Sequence, residues 1–288
     1  MTTLSAHSLT KYQFKRALRP FSFGVALTTC LIGITAAWQQ GLLIPLNAVL
    51  VLVGGLLLQA GVNLINDYSD IAELGDSAQV KASVIAIRRN FRIGMLCFLL
   101  ATPLGLYLVF DRSIALLGLF LVGLVGALGY TLRPLNYKDR GLAVLLVFWL
   151  MGVFMVAGSY VAVGGTLNTQ ILAQSVPISL LVSLLLLSNE LRDYESDREQ
   201  GLKTLTVRGG YERSRRLYLS LLLLTPLSTL LLWGLKMIPA PWPLLAALPF
   251  MLMPLRYLNR PAEERRPLPP ATGRLVMIFG LLFCVTIG

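Results

Sequence analysis

Nine of the chain's 14 acidic residues fall in two short clusters whose spacing suits a metal ion. The first cluster is Asn63-Leu-Ile-Asn66-Asp67-Tyr-Ser-Asp70-Ile-Ala-Glu73-Leu-Gly-Asp76. The second is Asn189-Glu190-Leu-Arg192-Asp193-Tyr-Glu195-Ser-Asp197-Arg198-Glu199. On a helix, Asn63, Asp67 and Asp70 share one face, and so, nearly, do Asn189, Asp193 and Asp197. Like charges on one helix face repel. The repulsion grows beside a low-dielectric medium, so such groups need compensation. A divalent cation supplies it. Carboxylate oxygens suit Mg²⁺, which keeps waters and binds one or two carboxylates together with substrate phosphates. Two facing Asp pairs with a diphosphate between them would make a two-metal arrangement. The plainer alternative is a pair of solvated helix ends neutralised by Arg192 and Arg198. Two matched clusters in a chain otherwise poor in acid favour the metal.

The elements that carry these clusters follow from composition. The chain has 288 residues, 56% hydrophobic and only 14% charged. Soluble domains carry about 25% charged residues, so lipid is the expected solvent. The apolar residues come in blocks near the ~20 residues that a helix needs to cross a bilayer. Alternating segments of ~10 residues, which a membrane barrel would require, are not the pattern. Nine spans are expected, over 20–38, 43–66, 93–110, 113–132, 141–163, 171–191, 214–235, 240–256 and 271–288. The expected class is therefore an all-α polytopic membrane protein. Residues 1–288 form a single domain, and 1–19 form a basic tail. The first span is too long for a signal peptide and many more follow it, so it is read as retained.

The net charge of +11 is a topology signal rather than a nucleic-acid footprint. With nine spans, all 25 basic residues except Arg112 and Lys236 fall on one side, which the positive-inside rule makes cytosolic. Both acidic clusters and the N-terminus share that side, and the C-terminus lies opposite. Trp38, Trp233 and Trp242 sit near the outer boundary, where indoles favour the interface. Cys30, Cys97 and Cys284 are too scattered for a disulfide framework or a zinc cluster. The single histidine, His7, lies in the N-terminal tail, which argues against histidine-based catalysis.

Asn66-Asp67-x-x-Asp70 resembles the first Asp-rich motif of the UbiA superfamily of membrane prenyltransferases. The stretch from Asn189 to Gly210 resembles the second. Its Arg192-Asp193, Asp197, Gly201, Lys203-Thr204-Leu205 and Val207-Arg208 are close to the MenA branch, the 1,4-dihydroxy-2-naphthoate polyprenyltransferases. Tyr130-Thr131 through Arg133-Pro134, Tyr137-Lys138 and Arg140-Gly141-Leu142 is similar to a further segment of that branch. Three positions depart from the pattern. Gly141-Leu142 is not followed by an acidic residue, Glu190 stands where Asn is usual, and the loop after Asp76 lacks a Gly-Pro-x-Arg run.

The resemblance implies nine helices around a central cavity and a reaction between a prenyl diphosphate and an aromatic acceptor. It implies Mg²⁺, two ions, held by Asp67, Asp70, Asp193 and Asp197, with Asp76 as a further ligand. Asn63, Asn66 and Asn189 would be lesser ligands or orienters. Lys138, Lys203 and Arg208 would contact the diphosphate, with Arg192 beside them; the alternative for Lys203 and Arg208 is positive-inside anchoring. Tyr130 would shield the allylic cation with its ring face. Arg133 and Arg140 would bind the acceptor carboxylate. The prenyl chain would lie in a groove open to the bilayer. No nucleic-acid partner is expected, and oligomeric state is open.

Two other readings remain. The acceptor could be 4-hydroxybenzoate, homogentisate or a non-quinone lipid. A cation-coupled transporter would also bind cations at acidic pairs, but transporters hold such sites near the bilayer midplane, whereas these acids sit at span ends.

Overall fold

The computed structural model describes residues 12–68, 71, 78–129, 137 and 140–288. Every regular element among them is helical. A helix satisfies all its backbone groups internally, which is why runs this apolar fold as helices in lipid. The N-terminal segment contains α1 (Phe14–Ala17) and leads into α2 (Phe23–Gln39). Then come α3 (Pro45–Ile65), α4 (Ala78–Asp111) and α5 (Ile114–Gly129). The next pass joins α6 (Ala143–Val147) to α7 (Phe154–Ala162) through a π-helical stretch, Phe148–Val153. After it follow α8 (Thr169–Glu199), α9 (Leu205–Gly209) and α10 (Tyr211–Gly234). A 3₁₀ stretch (Trp242–Ala247), α11 (Leu248–Leu252) and α12 (Leu255–Leu258) precede α13 (Leu268–Ile287).

Cross-links at the two ends fix the direction of each pass. At one end Ile44 N–H donates to Val163 O at 2.9 Å, Arg112 Nη2 to Gly164 O at 3.1 Å, and Gln39 Nε2 to Gly288 O at 2.8 Å. At the other end Asn90 Nδ2 donates to Tyr12 O at 2.9 Å and Tyr211 Oη to Leu258 O at 2.6 Å. The C-terminus therefore lies at the end away from both Asp-rich segments.

Seven helices among the described residues are long and apolar enough to cross a membrane. The protein is an integral, multi-pass membrane protein. The fourth and eighth expected spans are shorter apolar helices, over Ile114–Gly126 and Trp242–Leu258. The eighth is broken because Pro241, Pro243, Pro249 and Pro254 each remove a backbone donor. The expected loop over 67–92 is corrected in its second half: α4 begins at Ala78 and carries Lys81, Arg88, Arg89 and Arg92 on helix. Val80, Ser83, Ile87 and Asn90 are buried there, at the 3-4-3 spacing of one helix face. Phe110, Ile114 and Leu99 are more than two-thirds exposed, and a lipid-facing surface explains them.

Helix α8 is the buried centre. It packs against α10, α13, α9 and the pass containing α6 and α7. Ser175, Ser179 and Ser183 recur every fourth residue on it and are at most 2% exposed. Small side chains let helices approach closely in lipid. At Gly152 in the π stretch, a Cβ would lie 2.1 Å from Ser179 Oγ, so only glycine fits this crossing. Trp38, Trp233 and Trp242 are exposed near the end opposite the Asp-rich segments, the last two with ring centroids 5.4 Å apart.

Candidate active site

The described part of the first Asp-rich segment, through Asp67, lies at the same end of the bundle as the second, and the local structures differ. Helix α3 stops at Ile65, with Asn66 as its C-cap and Asp67 in the turn that follows. The expected single helix face through Asn63, Asp67 and Asp70 is thus interrupted after Asn66. Asp70 and Asp76 lie outside the described residues, as do Tyr130, Arg133 and Lys138.

Asp67 is 7% exposed. A carboxylate that deep must be paired or hydrogen-bonded. Its Oδ1 accepts from Arg19 Nη2 at 3.2 Å and from Asn66 Nδ2 at 3.1 Å. Arg19 belongs to the N-terminal segment and adopts φ 48°, in the left-handed region that non-glycine residues avoid. Side chains of α3 hold it there. Asn63 Nδ2 donates to Leu18 O at 2.8 Å and to Ser22 Oγ at 2.7 Å, and Ser22 Oγ donates to Arg19 O at 2.9 Å. Gln59 Nε2 donates to Asn63 Oδ1 at 3.1 Å. Asn63, expected as a lesser ligand or an orienter, fastens the segment that delivers Arg19. Sequence reasoning counted Arg19 only as a topology charge.

The second segment is helical through Glu199, so Asn189, Asp193 and Asp197 share nearly one face, as their spacing predicts. Arg192 binds Asp193 through two bonds, Nε to Oδ1 at 2.7 Å and Nη2 to Oδ2 at 2.5 Å. Paired bonds of this kind fix a carboxylate's plane as well as its place. Asn189 Nδ2 turns back to Leu185 O at 3.1 Å. Gly201, at φ 72°, ends the helix in a Schellman turn: Leu202 N–H reaches Asp197 O at 2.9 Å and Gly201 N–H reaches Arg198 O at 3.2 Å.

The chain then doubles back into α9. Thr204 caps it, with Val207 N–H donating to Thr204 Oγ1 at 3.4 Å. Glu190, 6% exposed, accepts from Thr206 N–H at 2.9 Å. A carboxylate on the N-terminal amides of a helix is favoured by charge and by hydrogen bonding. The glutamate that departs from the usual Asn thus ties α9 onto α8. Arg208 Nε donates to Lys203 O at 2.9 Å. Gly141, at φ 73°, lies so close that a Cβ there would be 2.9 Å from Arg208 Cδ. Arg140, Lys203 and Arg208 therefore belong to one exposed cationic neighbourhood beside the second Asp-rich segment.

Among the described residues no group of three or more His, Cys, Asp or Glu side chains converges on a metal position. Asp67, Asp193 and Asp197 offer hard oxygen donors, the kind that Mg²⁺ and similar ions take. A buried carboxylate held, among the described residues, by Arg19 and Asn66 also fits a site that exchanges one cation for another.

The model of the UbiA prenyltransferase family matches residues 26–282. The 1,4-dihydroxy-2-naphthoate octaprenyltransferase of Escherichia coli (strain K12) is 31% identical, over 94% of this chain and 93% of that protein. UbiA prenyltransferase domain-containing protein 1 of Rattus norvegicus is 29% identical over 93% of this chain and 80% of its own. A solved structure of a UbiA homolog from Archaeoglobus fulgidus bound to GPP and Mg²⁺ shares the fold, with TM-score 0.62 and 18% identity. That likeness covers 94% of this chain and 99% of that one.

Proposed function

The chain belongs to the UbiA prenyltransferase family, and we propose that it moves a prenyl chain from a prenyl diphosphate onto 1,4-dihydroxy-2-naphthoate in menaquinone or phylloquinone biosynthesis. The observation that carries the acceptor is the 31% identity to the Escherichia coli naphthoate octaprenyltransferase, sustained over 94% of this chain. In this reading the site faces the cytosol, which the one-sided placement of the basic residues supports.

In this reading Asp67, Asp193 and Asp197, with Asp70 and Asp76, hold Mg²⁺. Mg²⁺ held there would supply positive charge to neutralise the diphosphate and make it a better leaving group. Arg192 fixes the plane of Asp193, and Arg19 holds Asp67 in place until substrate arrives. Lys203 and Arg208, with Lys138, take the remaining diphosphate oxygens. The allylic C–O bond breaks, and its electron pair leaves with the diphosphate. The ring face of Tyr130 shields the resulting carbocation, and the apolar interior keeps water from it. Arg133 and Arg140 hold the naphthoate by its carboxylate. The ring carbon bearing that carboxylate supplies the electron pair of the new C–C bond. The bond to the carboxylate then breaks, its pair returns to the ring and carbon dioxide departs.

The test is transfer of a labelled prenyl chain in membranes holding the protein, with and without Mg²⁺, to a mixture of aromatic acceptors. The expected product has the mass of a decarboxylated, prenylated naphthoquinol. Transfer only to 4-hydroxybenzoate or homogentisate overturns the acceptor. No transfer to any acceptor by folded protein overturns the enzyme.

A further inference from the structure

Arg265 lies 73 residues beyond Arg192 in the chain and outside both Asp-rich segments, yet it is 3% exposed. It sits between the short 3₁₀ turn Ala262–Glu264 and α13. Its Nη1 donates to Leu191 O at 2.6 Å, and its Nη2 donates to Glu195 Oε1. Its guanidinium carbon stands 4.4 Å from the ring centroid of Tyr211. Tyr211 is itself fixed by its hydroxyl on Leu258 O at 2.6 Å and packs on Tyr194 at 5.7 Å.

Leu191 is the last fully buried apolar residue of α8, at 0% exposed. Beyond it the helix reads Arg-Asp-Tyr-Glu-Ser-Asp-Arg-Glu, a polar end with no apolar stripe to pack. Such an end draws little stability from propensity alone. Asp193 and Asp197, one turn apart, repel each other as well. Leu191 and Glu195 are also one turn apart, and Glu195 points roughly opposite to Asp193 and Asp197. Arg265 therefore grips the back of the one turn whose front carries the aspartates. Burying a guanidinium is costly unless it is paired, so its presence here needs a purpose beyond solubility.

We propose that Arg265 is a positioning residue: it braces the polar end of α8 from behind and so sets the placement of Asp193 and Asp197. The brace couples the last membrane helix to the cation-binding segment. The inference rests on the prenyltransferase reading for its activity readout, but the bracing itself does not.

Two measurements test it on the full-length protein in detergent. The first is amide hydrogen exchange over 192–199 in wild type, R265Q and E195Q, with no metal or substrate. Exchange there rises in both variants, while α13 amides beyond its first turn stay protected. The second is the Mg²⁺ concentration giving half-maximal prenyl transfer. It rises about tenfold, as loss of an outer-shell support commonly does, with little change in the acceptor KM, and R265K restores part of it. Folded R265Q with wild-type exchange over 192–199 overturns the proposal. So does a variant that exchanges faster but keeps the wild-type Mg²⁺ and prenyl diphosphate dependence. If R265Q does not fold, E195Q decides by the same two criteria, because Glu195 is itself exposed and its change removes only the far contact. Wild-type protein without transfer activity overturns the prenyltransferase reading and leaves the exchange result standing.

Discussion

Arg19 Nη2 lies 3.2 Å from Asp67 Oδ1, a contact between residues 48 positions apart. It places the basic N-terminal segment inside the site rather than beside it. The 7% exposure of Asp67 makes the contact necessary, because a carboxylate with so little water needs a cation nearby. Asn63, Gln59 and Ser22 hold the segment against α3. A guanidinium that is 38% exposed is free to swing toward solvent or the proposed diphosphate if metal were to take its place on Asp67.

R19Q is therefore expected to do two opposite things. It lowers thermal stability without metal, by about 1 kcal/mol once the exposure of Arg19 is allowed for. It also enlarges the stabilisation given by Mg²⁺, because Asp67 then lacks its own cation. Thermal unfolding in detergent with and without Mg²⁺ checks both. An unchanged Mg²⁺-induced shift would show that Arg19 and the metal do not share Asp67.

Asp67 and Asp193 are each held by an arginine, and each carries a charge that Asn lacks. D67N and D193N are expected to lower prenyl transfer by about 100-fold or more, the scale of a lost electrostatic contact in the transition state. D193N also frees Arg192 from its paired bonds, so an R192Q variant should reproduce part of the loss. Chelation with EDTA should abolish wild-type turnover, and added Mg²⁺ should restore it. Metal-independent turnover by either variant at wild-type rate sinks the assignment.

The passes were legible because an apolar block of bilayer length has few alternatives to a helix. The cationic half of α4 was harder to read, because Lys81, Arg88, Arg89 and Arg92 look like loop charges. The 3-4-3 spacing of Val80, Ser83, Ile87 and Asn90 was the signal available. The proline-broken eighth pass carries enough apolar residues for a span but not the backbone donors for one helix. In the site, the one-face spacing of Asn189, Asp193 and Asp197 was readable locally. Arg19, Glu190 and Arg265 were not, since each acts through a residue distant in sequence, and nothing in a single chain marks such pairs.

Glu190 links α8 to α9, so its removal should be felt by Lys203 and Arg208, the proposed diphosphate contacts. In E190A the buried Thr206 N–H loses its acceptor, at a cost of about 1–3 kcal/mol. The turn holding Lys203 and Arg208 loosens with it. The KM for prenyl diphosphate should rise while the acceptor KM holds. E190Q keeps an acceptor oxygen and should fall between wild type and E190A. Equal effects of the two variants would mean that the charge, not the hydrogen bond, secures α9.

Gly141 is where the loop before α6 meets Arg208. At φ 73° an alanine is strained by about 1–2 kcal/mol. Its Cβ would also lie 2.9 Å from Arg208 Cδ and 3.5 Å from Leu205 Cα. Arg208 is the flexible partner, so its guanidinium moves and its bond to Lys203 O is lost. G141A should then raise the KM for prenyl diphosphate, as R208A does, and the two effects should overlap. In the double variant the loss should be smaller than the sum of the single losses, as for residues in contact. Full additivity in G141A/R208A would show that the glycine serves the loop's own conformation and that Arg208 is held independently of it.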